Sequence, residues 1–450
     1  MSTTLTDLAV ALQTLFTADA ADAARQTGFV RRARKLTGPA FAQVTVFGWL
    51  HNPTASLADL AELAAHLGAA VHPSALDQRF GPAAVALLQA LLAAAMNAAC
   101  APTADDGGTD AGTLLGRFHG VYVDDTTTIG LPPALADFFP GCGGRGGPTA
   151  ALKVPLRLEL RRGGLEVSDL QPGRGCDLAG PLPHAPLPAG SLRLADLGYY
   201  SLPALQEYTE QGVYVLSRLP ARTALFDAGG RRWKLHEFLQ AQTGNRAETW
   251  VTVGARWRVR LRLVAWRVPA AVAAVRQRRL QGRAQKSGRP VSAAQATLAD
   301  WSVLVTNAAA EQLSLREACV LARLRWQVEL VFKLWKSDGR LDQSAGVRPY
   351  RVLCELLAKL LGLVVQHWAL LTAGPPLRQS QQRSARRVRA AAEGLASALG
   401  DLVALVAVLV ALRQRLRQVR GRQRRRGKPA AFRLAESPLE LEVDYWPATN

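Results

Sequence analysis

Apolar positions along the chain change period several times, and each change marks an element. Leu57, Leu60, Leu63 and Leu67 recur at helical steps, with Ser56 and Asp59 placed as an N-terminal capping box and Gly68 as a stop. A second helix is expected to start near Pro73 and to run through Leu76 and Phe80. Strict alternation then takes over at Leu152, Val154, Leu156, Leu158 and Leu160, whose polar neighbours predict a half-buried strand. The β-branched and aromatic run Val121-Tyr122-Val123 reads as a strand that delivers Asp125 to its end, with Asp124 pointing to the opposite face.

Farther on, Leu192, Leu194 and Asp196 share one face of a strand that breaks at Gly198, and a helix capped by Ser201 with Pro203 in its first turn follows. Residues 250–253 and 257–266 alternate as strands that carry Arg258, Arg260 and Arg262 in one row. Residues 301–306 form another strand, feeding a helix opened by Ser314 and Glu317. On a continuous helix over residues 325–336, Arg325, Glu329, Phe332 and Lys336 fall within about 40° of arc. Leu324, Val328, Val331 and Trp335 make the neighbouring apolar stripe.

Charge changes the picture. The chain holds 55 Lys and Arg against 35 Asp and Glu, a net +20, which points to a polyanionic partner. The cations cluster at residues 31–35, 276–289 and 413–428, runs that suit a DNA backbone. Cys100, Cys142, Cys176, Cys319 and Cys354 are too scattered for a zinc site and fit reduced thiols. The Gly-rich stretch 141–147 lacks the Lys-Ser/Thr ending of a phosphate-binding loop. The first residues carry no basic-then-apolar targeting pattern, and the apolar run 402–412 is short for a bilayer span, so a cytoplasmic, nucleoid-associated protein without a membrane is expected.

Three of these segments together resemble a known family. The spacing of Arg325, Glu329 and Lys336, the Asp125 segment that continues through Thr126, Thr127, Thr128 and Ile129 to Leu131-Pro132, and Asp196 followed by Gly198-Tyr199 are similar to the signatures of DDE transposases of the bacterial insertion-sequence 4 family. Where that family has a Tyr three residues before the Arg, this chain has Ala322.

The resemblance implies an α/β fold: a ribonuclease H-like core split into 115–221 and 301–372 by a β-rich insertion at 222–300. An all-helical DNA-binding region at 1–105 and a basic helical region at 373–450 complete the expected layout. Asp125, Asp196 and Glu329 would be the catalytic metal ligands, because Mg²⁺ takes oxygen donors. Two such ions, with Mn²⁺ as a substitute, would stand about 3.5–4 Å apart. Arg325, Lys333 and Lys336 would contact DNA near the cut, and Arg258, Arg260 and Arg262 would follow phosphates or keep an edge strand soluble. Trp301 is either a base-stacking platform or a core residue.

The helices near Ser56 and Pro73 form either a helix-turn-helix, with His72, Ser74, Gln78 and Arg79 at the groove, or a plain bundle hairpin. Expected partners are double-stranded DNA, as terminal inverted repeats and as target, and a second copy of the chain in a homodimer. The activity the resemblance implies is cut-and-paste transposition with a hairpin intermediate and strand transfer into target DNA; the alternatives are metal-dependent cleavage without strand transfer and DNA binding by an inactive derivative.

Overall fold

The computed structural model describes residues 5–32, 35–98, 112–143, 149–374 and 380–419. Arg34, Cys100, Gly144 to Gly147 of the Gly-rich stretch and the basic run from 420 onward lie outside them. The described residues fold as mixed α/β and divide into two compact units, each built from distant parts of the chain. One strand, β1 (Val121–Leu131), contributes to both, with Asp125 the last residue on one side and Thr126 the first on the other.

The first unit comprises residues 5–98, 126–176 and 327–419. Its small sheet runs in the order β3-β2-β1, where β2 is Ala150–Glu159 and β3 is Leu165–Val167, and β4 (Gln171–Pro172) also pairs with β2. The expected half-buried alternation of β2 holds only at its start. From Val154 onward both faces are buried, including Arg157 and Glu159. The Glu159 carboxylate accepts from the backbone N–H groups of Arg161 (3.0 Å) and Arg162 (2.5 Å), so its burial is compensated at the turn before Gly163.

The helix Pro349–Leu371 is the centre of this unit, packed on Gly38–His51 and Pro82–Asn97. Gly362 permits that approach, since a Cβ there would sit 3.3 Å from the Val46 carbonyl. The helix is long and apolar enough to cross a membrane, yet its apolar window is entirely buried in protein. Arg351, Glu355 and Lys359 interrupt the run, which is why a search for uninterrupted apolar residues passes over it. Buried Lys359 is held by Glu355 at 2.7 Å and by the Gln343 carbonyl at 2.7 Å.

Before β1 the described residues are helical. Ser56 and Asp59 form the capping box read from their spacing, and Gly68 turns the chain with φ +79°. The second helix, however, is only Pro73–Asp77. Gly81-Pro82 starts a new helix, and proline disfavours helical backbone in the residue before it. One turn is short for a groove-reading helix. Gln78 is exposed after that turn, while Arg79 folds back over the Phe29 ring and donates to the Phe29 carbonyl.

The second unit comprises residues 112–125 and 177–326. Its strands are β5 (Leu192–Ala195), β6 (Tyr214–Arg218), β7 (Leu225–Phe226), β8 (Arg232–Trp233), β9 (Arg246–Val253), β10 (Val259–Arg267) and β11 (Trp301–Thr306). The order is β1-β5-β6-β11-β10-β9-β7-β8; β1, β5 and β6 are mutually parallel and the remaining pairs antiparallel. The segment 222–300 is β-rich only up to Arg267. The helices Ala270–Ser287 and Ala293–Ala299 fill the rest, and β10 pairs directly with β11, so the insertion continues the core sheet.

The arginine row of β10 dissolves on inspection. Arg258 lies before the strand with φ +49°, stacked on Phe226, and Arg260 is exposed beside Trp250. Arg262 is buried, bonded to the Glu248 carboxylate and the Leu313 carbonyl. It is a tether, because leaving a buried guanidinium without acceptors is costly.

His367 in the first unit supplies a pH test. Burial holds its imidazole below the ordinary 6.5, against the opposing pull of its Nε2–H bond to the Gly163 carbonyl (2.6 Å). Just below pH 6.5 the unfolded chain therefore binds more protons than the folded one, and stability falls as pH drops through that value. The urea midpoint should decline between about pH 7.5 and about pH 5.5. In His367→Gln the decline should be shallower; an unchanged slope would remove His367 as its source.

Candidate active site

The parallel register of β1, β5 and β6 brings the ends of β5 and β6 beside Asp125, which lies within β1 and not at its end as expected, because the strand continues to Leu131. Val123 lies opposite Leu194, and Leu194 opposite Leu216. Side chains two residues apart share a face, so Asp125, Asp196 and Arg218, each two positions beyond one of those residues, come to the same side. Ligand sites of open α/β sheets form outside such carboxyl ends.

Asp124 takes the other face, as strand alternation predicts. There its carboxylate is fully buried and accepts from Arg193 Nε at 2.7 Å, with both partners almost wholly out of solvent. The Arg193 guanidinium also lies 5.0 Å from the Tyr208 ring centre. Arg193 was not singled out by the sequence reading. Its signal was the cross-strand neighbourhood with Tyr122, which only the pairing partner reveals.

Asp125 is half-buried and ion-paired with Arg325 at 3.4 Å. Arg325 closes the helix Leu315–Leu324, which opens with the Ser314–Glu317 capping box and is further fixed by Glu317 bonding Arg117 at 2.7 Å. Asp196 follows β5 in a tight turn, its Oδ1 accepting from the N–H groups of Gly198 (2.8 Å) and Tyr199 (3.2 Å). Gly198 is needed for space: a Cβ there would stand 3.2 Å from Asp196 Oδ1. Tyr199 is buried against Leu182 and Ala195 and anchors the turn.

Arg218 was also missed, although it ends an alternating strand. Desolvation by its surroundings lowers its pKa first, repulsion from Arg325 adds to this, and Asp196 opposes it. Its side chain keeps an exposed surface, so the desolvation is partial. A small cleft is lined by Ala195, Ser217, Arg218, Ser302, Ala322 and Arg325. Ala322, at the place where the resembling family has Tyr, leaves this cleft open on that side. Arg276 is half-buried and donates to the Trp301 carbonyl (2.8 Å) and Ser302 Oγ (3.0 Å); burial, then repulsion from Arg218, brings its pKa to about 10.

Glu329 sits half-buried in the first unit, on the helix Trp326–Ser337. The expected single helix is interrupted at Arg325. Val328, Val331 and Trp335 are buried as an apolar stripe, and Phe332 is buried with them instead of sharing an open face with Glu329. Lys336 donates to the Thr128 carbonyl at 2.8 Å, and Lys333 is exposed. Trp301 is 3 % exposed in the core beside Val305 and Leu263, with Arg267 over its ring, so of its two readings the structure presents the core one.

By donor type the three carboxylates suit a hard divalent cation. Among the described residues, however, no three His, Cys, Asp or Glu side chains stand close enough to hold a metal ion. Asp125 is paired with Arg325, and Asp196 accepts from its own turn.

Residues 174–365 match the family described as Transposase DDE domain. The transposase for insertion sequence element IS231F of Bacillus thuringiensis subsp. israelensis is 29% identical over 363 residues, covering 76% of this chain and 74% of the relative. Over these residues the chain is similar to DDE transposases of insertion sequences. The transposase for element IS231C of Bacillus thuringiensis subsp. berliner is 25% identical over 389 residues (82% of this chain, 80% of the relative), and that for element IS1151 of Clostridium perfringens 23% over 297 (62% and 63%). The insertion-sequence 4 resemblance is consistent with these relatives. The DDE match contains Asp196 and Glu329, while Asp125 precedes it.

The buried pair beside Asp125 sets a stability test. Arg193→Met deprives the buried Asp124 carboxylate of its guanidinium partner and should cost about 3–5 kcal/mol in urea unfolding, whereas Asp124→Leu with Arg193→Met should recover most of that loss. A double variant as unstable as the single one would refute the pairing account.

Proposed function

We propose that this protein is a cut-and-paste DNA transposase in which Asp125, Asp196 and Glu329 are the catalytic carboxylates. The observation that carries the reading is the shared face of Asp125 and Asp196 on adjacent parallel strands, with Arg325 on the first acid and Arg218 near the second. Two carboxylates among guanidinium groups suit a phosphodiester: the acids take a cation or a proton, and the arginines take phosphate oxygens. The net charge of +20 and the transposase relatives support the same substrate.

Mg²⁺, with Mn²⁺ as its substitute and two ions per site, would be held by the three carboxylates and would supply Lewis acidity and an activated water. Arg325 would exchange its bond to Asp125 for a DNA phosphate as that carboxylate is engaged. Lys336 and exposed Lys333 would hold the strand beside the cut. In this reading water cuts one strand at each element end and frees a 3′ hydroxyl. That hydroxyl attacks the opposite strand to give a hairpin, which is reopened before the ends join target DNA. A homodimer would coordinate the two ends.

One second reading has specific support. Ala322, where the resembling family has Tyr, suits a DNA-binding derivative that no longer cuts. Incubation with Mg²⁺ and duplexes carrying the element's own ends separates the readings. Nicks followed by joined products support transposition, nicks alone a nuclease, and bound uncut DNA the inactive derivative. Asp125→Ala, Asp196→Ala and Glu329→Ala should each lower cleavage by at least about a hundredfold while end binding persists. Full cleavage by any one of them removes that residue from the site.

A further inference from the structure

The apolar run 402–412 is explained by neither the fold nor the site. It makes up most of the helix Leu402–Arg417, and every residue from Leu402 to Leu412 is Leu, Val or Ala. A helix apolar on all sides belongs in an interior. Yet its buried residues are Leu405, Leu409, Leu412 and Leu416, where it packs on the helices Leu5–Thr14, Pro349–Leu371, Gln381–Ala390 and Ala392–Ala398 of the same unit. On the opposite side Val403 is 79 % exposed, Ala407 and Gln414 are exposed, and Val410 is half-buried.

At 100° per residue Val403, Ala407, Val410 and Gln414 fall within about 60° of arc, directly opposite the buried leucines. Their steps of four, three and four residues are those of a helix-pairing seam. Val406 on one flank and Ala411 on the other continue the apolar surface, and Ala407 near the middle lets a second backbone come close.

The pattern discriminates among occupants. DNA is a poor match, since the seam itself carries no cation. A bilayer core of about 30 Å exceeds the run, which spans about 16 Å at 1.5 Å per residue. A second copy of this helix matches in both apolarity and charge. In an antiparallel pair with Val403 opposite Gln414 and Ala407 opposite Val410, the exposed Asp401 that caps the helix lies level with the exposed Arg415 and Arg417 of the other copy. A parallel pair would instead bring Arg413, Arg415 and Arg417 of both copies together, and such flanking charges set orientation.

We propose that this face pairs antiparallel with the same face of a second copy, a two-fold contact in which each helix supplies the same residues. The inference rests on the homodimer proposed above, names its surface, and uses none of the residues assigned to cutting.

The test is sedimentation velocity of the full-length protein without DNA over a range of concentrations. A seam this short implies a micromolar dissociation constant, so unaltered protein should pass from monomer to dimer as concentration rises. Val403→Glu and Ala407→Glu each put a charge in the seam and should weaken pairing by at least about a hundredfold. Because both side chains are exposed, helical circular dichroism and the urea midpoint should not change. Arg417→Glu should weaken pairing by about tenfold, since it sets two acids against each other. A tighter dimer from Arg417→Glu would show parallel pairing and overturn the arrangement. Dimers that persist in both seam variants place the homodimer contact elsewhere and overturn this surface alone. Unaltered protein that stays monomeric overturns the proposal, and the duplex assays above then judge the cutting reading separately. A monomer whose urea midpoint falls in Val403→Glu assigns the face to another part of the same chain. Flotation with phosphatidylcholine vesicles that Val403→Glu abolishes assigns it to a lipid surface, and either result also overturns the proposal.

Discussion

The site depends on one buried ion pair. Asp124 and Arg193 face each other across two parallel strands with almost no solvent access. Removing either residue takes a buried counter-charge from the other, so the register of β1 against β5 is held there. Because consecutive side chains alternate, locking Asp124 inward sends Asp125 outward, onto the face where Asp196 and Arg218 end their own strands. An adjacent pair of acids thus performs two tasks, one structural and one chemical, separated only by the pleat.

The electrostatics of the outward face follow from crowding. Desolvation first, and then repulsion from Arg325, lowers the proton affinity of Arg218; desolvation and then Arg218 do the same to Arg276, with Asp196 and Asp300 as the respective counterweights. A row of guanidinium groups short of acids is a field awaiting anions. The same imbalance extends over the surface of the second unit, where no acid occurs between Glu248 and Asp300. In the first unit the logic is reversed: the helix Pro349–Leu371 carries Glu355 and Lys359 into the interior as a matched pair, within a stretch where every residue from Val352 to Leu371 is buried.

Much of the local structure was legible in the chain itself. Ser56, Ser201 and Ser314 cap the helices their spacing announces, Asp196 follows the end of its strand, and the stripe of Val328, Val331 and Trp335 is buried. These are short-range effects, set by side chains within four residues of one another. The misreadings share one cause. Arg262, Arg157 and Phe332 each have a sequence context that suits an exposed role, and each is buried.

The chain's order of residues determined the periodicities, the caps, the excess of positive charge and the three acidic segments that resemble a transposase, because each is a property of neighbours or of a sum. Tertiary structure alone decided that Arg193 neutralises Asp124, that Arg218 joins Asp196, that β10 pairs with β11, and that the arginines of one strand part into a tether and surface cations. Those outcomes depend on which strand lies beside which. Pairing across tens or hundreds of residues is chosen by the burial of the whole sheet, and no local pattern encodes it.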